Sequence, residues 1–392
     1  MKFASRMENL KASEIREILK LIENPEVISF AGGLPAPELF PVEEMKQVAN
    51  MVLDEDRDKA LQYSPTEGFP PLREKISLRL RDQGIASTKD DVLITNGSQQ
   101  GLDLTGKIFL DEHSIVLCES PSYLGAINAF KTYMPRFIEI ETDDDGMVME
   151  DLERVLKQVD QVRLIYVIPD FQNPSGRTWS VERRKRLVEL ANEYDLPVVE
   201  DNPYGELRFE GERPPAVKSF DTENRVAYLG TFSKTFCPGL RIGWILARGE
   251  MMQKYNFVKQ SSDLHTSSIS QREINKFMEV YDFDAHIEKI KEVYKMRRDV
   301  MMAAIKEEFP EGISCTYPQG GLFTWCELPE EMDSKEIFKK AIEQNVAFVP
   351  GGSFFPNGGK ENCFRVNFSM MGEEKIKEGI KRLGEVLRIE ME

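Results

Sequence analysis

Seven apolar runs of four or five residues punctuate the middle of this chain, and helical segments lie between them. The runs Val92–Thr95, Ile115–Cys118, Arg136–Ile140, Leu164–Ile168, Pro197–Glu200, Val226–Gly230 and Ile242–Leu246 read as strands. Pro71–Arg81 and Val181–Tyr194 read as two of the intervening helices. Val198 and Val199 are adjacent and both apolar, so their strand is covered on both faces. Such alternation, from about Tyr63 to Asp284, predicts an α/β fold around a mostly parallel seven-stranded sheet flanked by helices. After Asp284 the rhythm changes. A long charged helix, Ala285–Glu308, precedes strand-like runs at Ile313–Tyr317 and Leu322–Glu327. The helix Ser334–Gln344, the strand Phe364–Phe368 and a helix from Glu373 follow. This is the pattern of a smaller α+β domain, completed by the N-terminal segment. There, Ser13–Ile22 reads as a short helix with Ser13 as N-cap, and Ile28–Pro35 as a short strand ending in a glycine loop. The expected division is 1–62 as the N-terminal part of the small domain, 63–284 as the large domain and 285–392 as the C-terminal part of the small one.

Composition removes several function classes. A net charge of −16 argues against a nucleic-acid surface and against an anionic membrane. Met1 to Lys20 is polar and amphipathic, unlike a signal peptide, and no apolar run approaches the length of a membrane span. The five cysteines have no C-x-x-C spacing, and an odd number suits a reducing, cytoplasmic setting. Three histidines without paired spacing make a catalytic metal an unexpected feature.

The chemistry concentrates after the sixth run. The strand Arg225–Gly230 delivers Lys234 into a loop of small hydroxyl residues, and Arg241 follows seven positions later. A lysine amine in a partly desolvated pocket loses its proton readily and condenses with an aldehyde. Thr231, Ser233 and Arg241 are suited to a phosphate on the same molecule. The cofactor with both groups is pyridoxal 5′-phosphate. It also requires an acid opposite its ring nitrogen, to keep the ring protonated and electron-withdrawing. Asp201 ends a buried run and meets that need, at the strand edge where open α/β sheets bind ligands. Tyr204, three residues on, and Asn173, in Asn173-Pro174-Ser-Gly176, are placed to hydrogen-bond the phenolic oxygen of the ring. Each also has an ordinary reading as a turn residue.

Further upstream, Asp91–Thr95 is a strand, and Asn96-Gly97-Ser98-Gln99-Gln100 opens a helix. A strand, a glycine turn and a helix N-terminus together favour an anion. After the next strand, Tyr123 offers a ring to stack on a pyridine.

Taken in order, the phosphate turn, stacking ring, asparagine, aspartate, tyrosine, lysine and arginine resemble the pyridoxal-phosphate-dependent aminotransferases of fold type I, the aspartate aminotransferase superfamily. The resemblance covers essentially the whole chain. It implies that Lys234 carries the internal aldimine and acts as the general base, and that the amino group passes through pyridoxamine phosphate to a 2-oxo acid such as 2-oxoglutarate. It also implies that Asp201 pairs with the pyridinium, that Tyr204 and Asn173 bind the ring oxygen, and that Tyr123 stacks. Ser98, Gln99, Thr231, Ser233 and Arg241 would hold the phosphate. Arg365 would bind the substrate α-carboxylate, with Asn173 and Gly33 beside it, and Tyr63 would reach the neighbouring active site of a homodimer.

The segments Ala12–Leu21, Ser29–Pro41, Leu61–Gly68, Asp263–Thr266 and Asn345–Gly352 look like the 2-aminoadipate and broad-specificity branch. In that branch Arg16 matches an arginine that serves a distal carboxylate. The implied substrates are 2-aminoadipate, glutamate, and branched-chain or aromatic amino acids. Two other outcomes keep the same scaffold: a β-lyase cleaving C–S bonds, and a non-catalytic effector domain.

Overall fold

The computed structural model describes residues 1–7 and 26–391. The expected helix Ser13–Ile22 and its Arg16 lie outside the described residues. A two-residue strand β1 (Ile28–Ser29) is followed by helices α1 (Val42–Asp56) and α2 (Pro70–Asp82). Then come β2 (Val92–Asn96), α3 (Gly97–Phe109), β3 (Ile115–Glu119), α4 (Leu124–Lys131), β4 (Arg136–Ile140) and α5 (Met149–Gln158). The alternation continues through β5 (Val162–Val167), α6 (Val181–Glu193), β6 (Val198–Asp201), β7 (Val226–Thr231) and β8 (Ile242–Leu246). All seven expected strands form, each within two residues of its predicted ends.

These strands build one seven-stranded sheet in the order β2-β8-β7-β6-β5-β3-β4. Only β8 runs against its neighbours, β2 and β7, so the sheet is mixed and mostly parallel. Successive residues face opposite sides, and both sides are dry. Val198 and Ile165 pack into one apolar cluster, whereas Val199, Leu164 and Tyr166 pack into another. This burial on both faces is why these runs lack polar alternation.

Helices α7 (Gly249–Asp263), α8 (Ser268–Val280) and the long α9 (Phe283–Glu308) lead away from the sheet. Asp282 caps α9 by accepting the Ala285 N–H at 2.9 Å, which starts the helix two residues before the expected Ala285. Beyond it lie β9 (Ser314–Cys315), β10 (Phe323–Glu327), α10 (Ser334–Glu343), β11 (Val346–Ala347), β12 (Val349–Pro350), β13 (Cys363–Asn367) and α11 (Glu373–Met391). A second sheet has the order β9-β10-β13-β12. Cys315 and Cys326 are register partners across β9 and β10 and form a disulfide. Their separation of 11 residues carries no recognisable motif; strand register alone brings them together.

The N-terminal segment joins this second unit. β1 pairs in parallel with β11, Asn367 donates its N–H to the Phe30 carbonyl at 2.9 Å, and Phe30 packs on α11. One apolar cluster takes in Ile28, Phe30, Ala36, Tyr294, Trp325, Val349, Phe364 and Leu383. Among the described residues no helix is long and apolar enough to cross a membrane, and no cluster of potential metal ligands occurs.

Candidate active site

The carboxyl ends of β5, β6 and β7 face a cavity of about 400 Å³, which the second sheet closes from above with Arg365 and Phe323. Asp201, the last residue of β6, is 2% exposed. Its Oδ2 accepts the Tyr166 hydroxyl from β5 at 2.9 Å, while Oδ1 is buried with no hydrogen-bond partner. Burial pushes this carboxyl up to about 7, against the opposing effect of the Tyr166 bond. A buried acceptor without a donor is costly, so this oxygen is set up for a donor that arrives with a ligand. Tyr204 is buried beside it, its ring edge-on to Phe323 at 6.0 Å, and burial raises its phenol well above the usual range.

Lys234 stands three residues beyond β7. Its Nζ donates to the Gly33 carbonyl at 2.8 Å. Burial, then the nearby Arg365 and Arg241 charges, push its ammonium down to about 8. An amine in that range is partly neutral near pH 8 and able to act as nucleophile or base.

The opposite end of the cavity is built for an anion. Thr231 Oγ donates to Ser233 Oγ at 2.9 Å and accepts the Ser233 N–H at 3.1 Å. Arg241 is exposed and makes two long bonds of 3.4 Å, to the Pro238 and Asn96 carbonyls. Gly97 has φ +71°, and a Cβ there would lie 2.6 Å from Arg241 Nη2. A Cβ on Gly243 would lie 2.6 Å from the Ser98 nitrogen. Both glycines therefore let the first turn of α3 close onto β8 and the guanidinium. Ser98 and Gln99 in that turn line the cavity.

Arg365, from β13, reaches the third side and is 2% exposed. It donates from Nη1 to Asn173 Oδ1 at 2.8 Å and from Nη2 to the Ala31 carbonyl at 2.7 Å. Its Nε is buried without a partner. The guanidinium lies 4.1 Å from the Phe323 ring centroid and 5.2 Å from that of Phe354. Burial pushes its pKa down to about 10. An unpaired donor on a cation held between two rings suits a small carboxylate. Tyr123 forms part of the wall, and burial, followed by Asp201, raises its phenol to about 12. A Cβ on Gly125 would meet the Tyr123 ring at 2.4 Å, so the ring lies down over that glycine.

Sequence comparison agrees with this geometry. The family model described as aminotransferase class I and II matches residues 26–383. The chain is 48% identical over 394 residues to aromatic-amino-acid aminotransferase 1 of Thermococcus litoralis, across 99% of this chain and 94% of that protein. It is 44% identical over 389 residues to the 2-aminoadipate transaminase of Thermus thermophilus, across 98% and 96%. The chain belongs to the class I and II aminotransferases. The crystal structure of a kynurenine aminotransferase from Pyrococcus horikoshii has the same fold, with a TM-score of 0.96 at 44% identity, over 100% of this chain and 98% of that one.

This aminotransferase uses pyridoxal phosphate to move amino groups between amino acids and 2-oxo acids. The cavity suits that cofactor. The orphaned Asp201 Oδ1 matches a ring N–H, the Gly97–Arg241 cradle matches a phosphate, and the depressed Lys234 amine matches an aldehyde.

Of the residues expected from sequence, Ser98, Gln99, Tyr123, Asn173, Asp201, Tyr204, Thr231, Ser233, Lys234, Arg241, Arg365 and Gly33 all line this one cavity. Tyr63 does not. It is 78% exposed, with its ring edge-on to His265 at 5.7 Å. Leu34, Ile168, Pro203, Pro238 and Phe323 also line the cavity and were not expected. Apolar residues carry no chemical signal in a sequence. Phe323 was findable only as an inward position of β10, just after Gly320-Gly321.

Proposed function

We propose that Lys234 is the catalytic lysine of a broad-specificity transaminase acting on acidic and on aromatic or branched-chain amino acids. The observation that carries this reading is the single cavity shared by the Lys234 amine, the orphaned Asp201 oxygen and the unpaired Arg365 Nε. When bound, pyridoxal phosphate supplies an electron-withdrawing ring that takes up the charge released at the substrate α-carbon. Asp201 would hold a proton on the ring nitrogen through Oδ1. Tyr204 and Asn173 would hydrogen-bond the ring oxygen, Tyr123 would cover one ring face, and Ser98, Gln99, Thr231, Ser233 and Arg241 would hold the phosphate.

Arg365, with Asn173 and Gly33 beside it, fixes the substrate carboxylate and thereby points the α-hydrogen at Lys234. Lys234 Nζ would take that proton as general base and, as the resulting ammonium, would give it back as general acid. Its amine, already pushed down to about 8, is basic enough to accept the proton and acidic enough to release it. The buried Phe323 ring forms an apolar wall that limits water around these transfers.

Residues 1–62 and 285–392 form the small domain in this reading, and 63–284 the large one. The shared apolar cluster of Ile28, Phe30 and the C-terminal strands supports that division. Tyr63 serves the neighbouring site of a homodimer, which its exposure, together with that of Leu61 and Leu264, supports. Sedimentation showing only a monomer would remove that part. Arg16 selects substrates with a distal carboxylate.

The test is a spectral half-reaction without any acceptor. 2-Aminoadipate, glutamate, leucine, phenylalanine or kynurenine is added singly, and conversion of the cofactor band is followed together with release of the 2-oxo acid. Conversion by both acidic and apolar amino acids is expected. Arg16→Ala should then weaken only the acidic class, and an unchanged glutamate-to-leucine ratio would remove the selector role. Pyruvate and ammonia from a cysteine conjugate, with no band conversion by any amino acid, would overturn transamination in favour of elimination.

A further inference from the structure

The first turn of α3 has an N-cap that does not cap. Asparagine is among the strongest N-cap residues, because its side-chain oxygen accepts the backbone N–H two or three positions on. Asn96 occupies the N-cap of α3 but makes no such bond. Its side chain is turned the other way and donates from Nδ2 to Asp263 Oδ2 at 2.6 Å.

Asp263 is itself oddly placed. It is the last residue of α7, where the helix dipole disfavours a negative charge. Three donors hold it there. Lys259, one turn back and with a fully buried side chain, donates to Oδ1 at 2.5 Å. Gln100 Nε2 donates to Oδ2 at 2.7 Å, next to Asn96. Gln100 also returns its Oε1 to the Asn96 backbone N–H at 2.8 Å. The Asn96 carboxamide is thus gripped from outside the helix, and its own backbone N–H is satisfied by the Gln100 side chain of α3.

The consequence falls on Ser98 and Gln99, whose N–H groups an asparagine cap would ordinarily satisfy. Both residues line the cavity beside Arg241. We propose that Asp263, anchored by Lys259, is a positioning residue for the cofactor phosphate: it withholds the Asn96 side chain from α3 and keeps the Ser98 and Gln99 N–H groups open to the anion. This rests on the reading that Ser98, Gln99 and Arg241 hold the phosphate. Without Asp263, the Asn96 carboxamide turns back, caps its own helix and competes with the phosphate for the same donors.

The experiment titrates the apo-protein with pyridoxal phosphate and, separately, with pyridoxal, which lacks the phosphate. Asp263→Ala should weaken pyridoxal phosphate about fivefold, the worth of one cap bond, and leave pyridoxal unchanged. In an Asn96→Ala background, which has no competitor, Asp263→Ala should cause no further loss. Inorganic phosphate should raise the melting temperature of the apo-protein less in Asp263→Ala than in the parent. A loss equal for both ligands, or one that persists in Asn96→Ala, would mean that Asp263 merely fastens α7 to α3, and would overturn the proposal. Should Asp263→Ala not fold, Asp263→Asn keeps the shape, loses the Lys259 ion pair and should show a smaller loss with the same selectivity. Arg241→Ala tests the underlying reading on its own: if it leaves the preference for pyridoxal phosphate over pyridoxal intact, the cradle assignment fails whatever Asp263 does.

Discussion

At the inner end of the cavity, Asp201, Tyr166 and Tyr204 are buried, and every acidic group there is pushed upward by loss of water. At the outer end, Arg241 and Gln99 are exposed while Thr231 and Ser233 are buried, and the donors are a helix turn, two hydroxyls and a guanidinium open to solvent. The inner end controls where a proton sits, which requires a low dielectric and few alternatives to the intended partner. The outer end holds a permanently charged group, for which many modest donors serve and water does little harm. Lys234 stands between them, depressed first by burial and then by the Arg365 and Arg241 charges. One ligand thus spans a dry end that tunes and a wet end that anchors.

The largest expected effect is at the junction. Lys234→Ala should lower kcat by about 10³-fold, within the range for loss of a general base. Borohydride should then no longer leave the cofactor covalently attached, as read by intact mass. Attachment at another lysine would break the assignment. Next comes the dry end. The Asp201 carboxyl sits at about 7 when folded, against 3.8 as the reference for an unfolded chain. Between those values the folded state keeps a proton that the unfolded state has lost, so Asp201 lowers apo-protein stability progressively as pH rises from about 4 to about 7. Asp201→Asn should therefore match the parent in urea midpoint near pH 4 and exceed it above pH 7. The gain is on the order of a few kcal/mol, one pKa unit being about 1.36 kcal/mol. A gain independent of pH would mean that this carboxyl is not held protonated by burial.

What the sequence revealed follows the same division. Most of the seven strands were readable because they are covered on both faces, which leaves apolar runs such as Val198-Val199 ahead of the acids Glu200 and Asp201; the edge strand Arg136–Ile140 is only partly covered. Ser98, Asp201 and Lys234 were readable because each sits just beyond such a run, and Arg241 because it stands just before one, where a charged or hydroxyl residue stands out. The two-residue strands Val346–Ala347 and Val349–Pro350 are too short for any period to register, and exist only through pairing with distant partners. Cys315 and Cys326 meet through register, not spacing. Helices α1, α7 and α8 fall outside the segments read from periodicity. The Asn96–Asp263 bond joins residues 167 apart, and both look like ordinary helix-end residues until the chain folds. Phe323 shapes the cavity by area alone, so nothing in its chemistry marks it.

The smallest effect tests whether the wet end is as screened as its exposure implies. Arg241→Ala removes one guanidinium from a cradle that also has Thr231, Ser233 and helix N–H groups, so the loss is partial. At low salt we expect affinity for pyridoxal phosphate to fall about tenfold, in line with a charge-assisted hydrogen bond. Near 1 M salt, where the screening length is about 3 Å, the parent should lose much of that advantage and the gap should narrow to a few-fold. Asp201→Asn should show no comparable dependence on salt, since its surroundings are closed to ions. Equal salt dependence at both ends would remove the distinction between an anchoring end and a tuning end. A salt-independent Arg241 effect would instead mean that bound cofactor seals the guanidinium from solvent, making the outer end dry in the loaded enzyme.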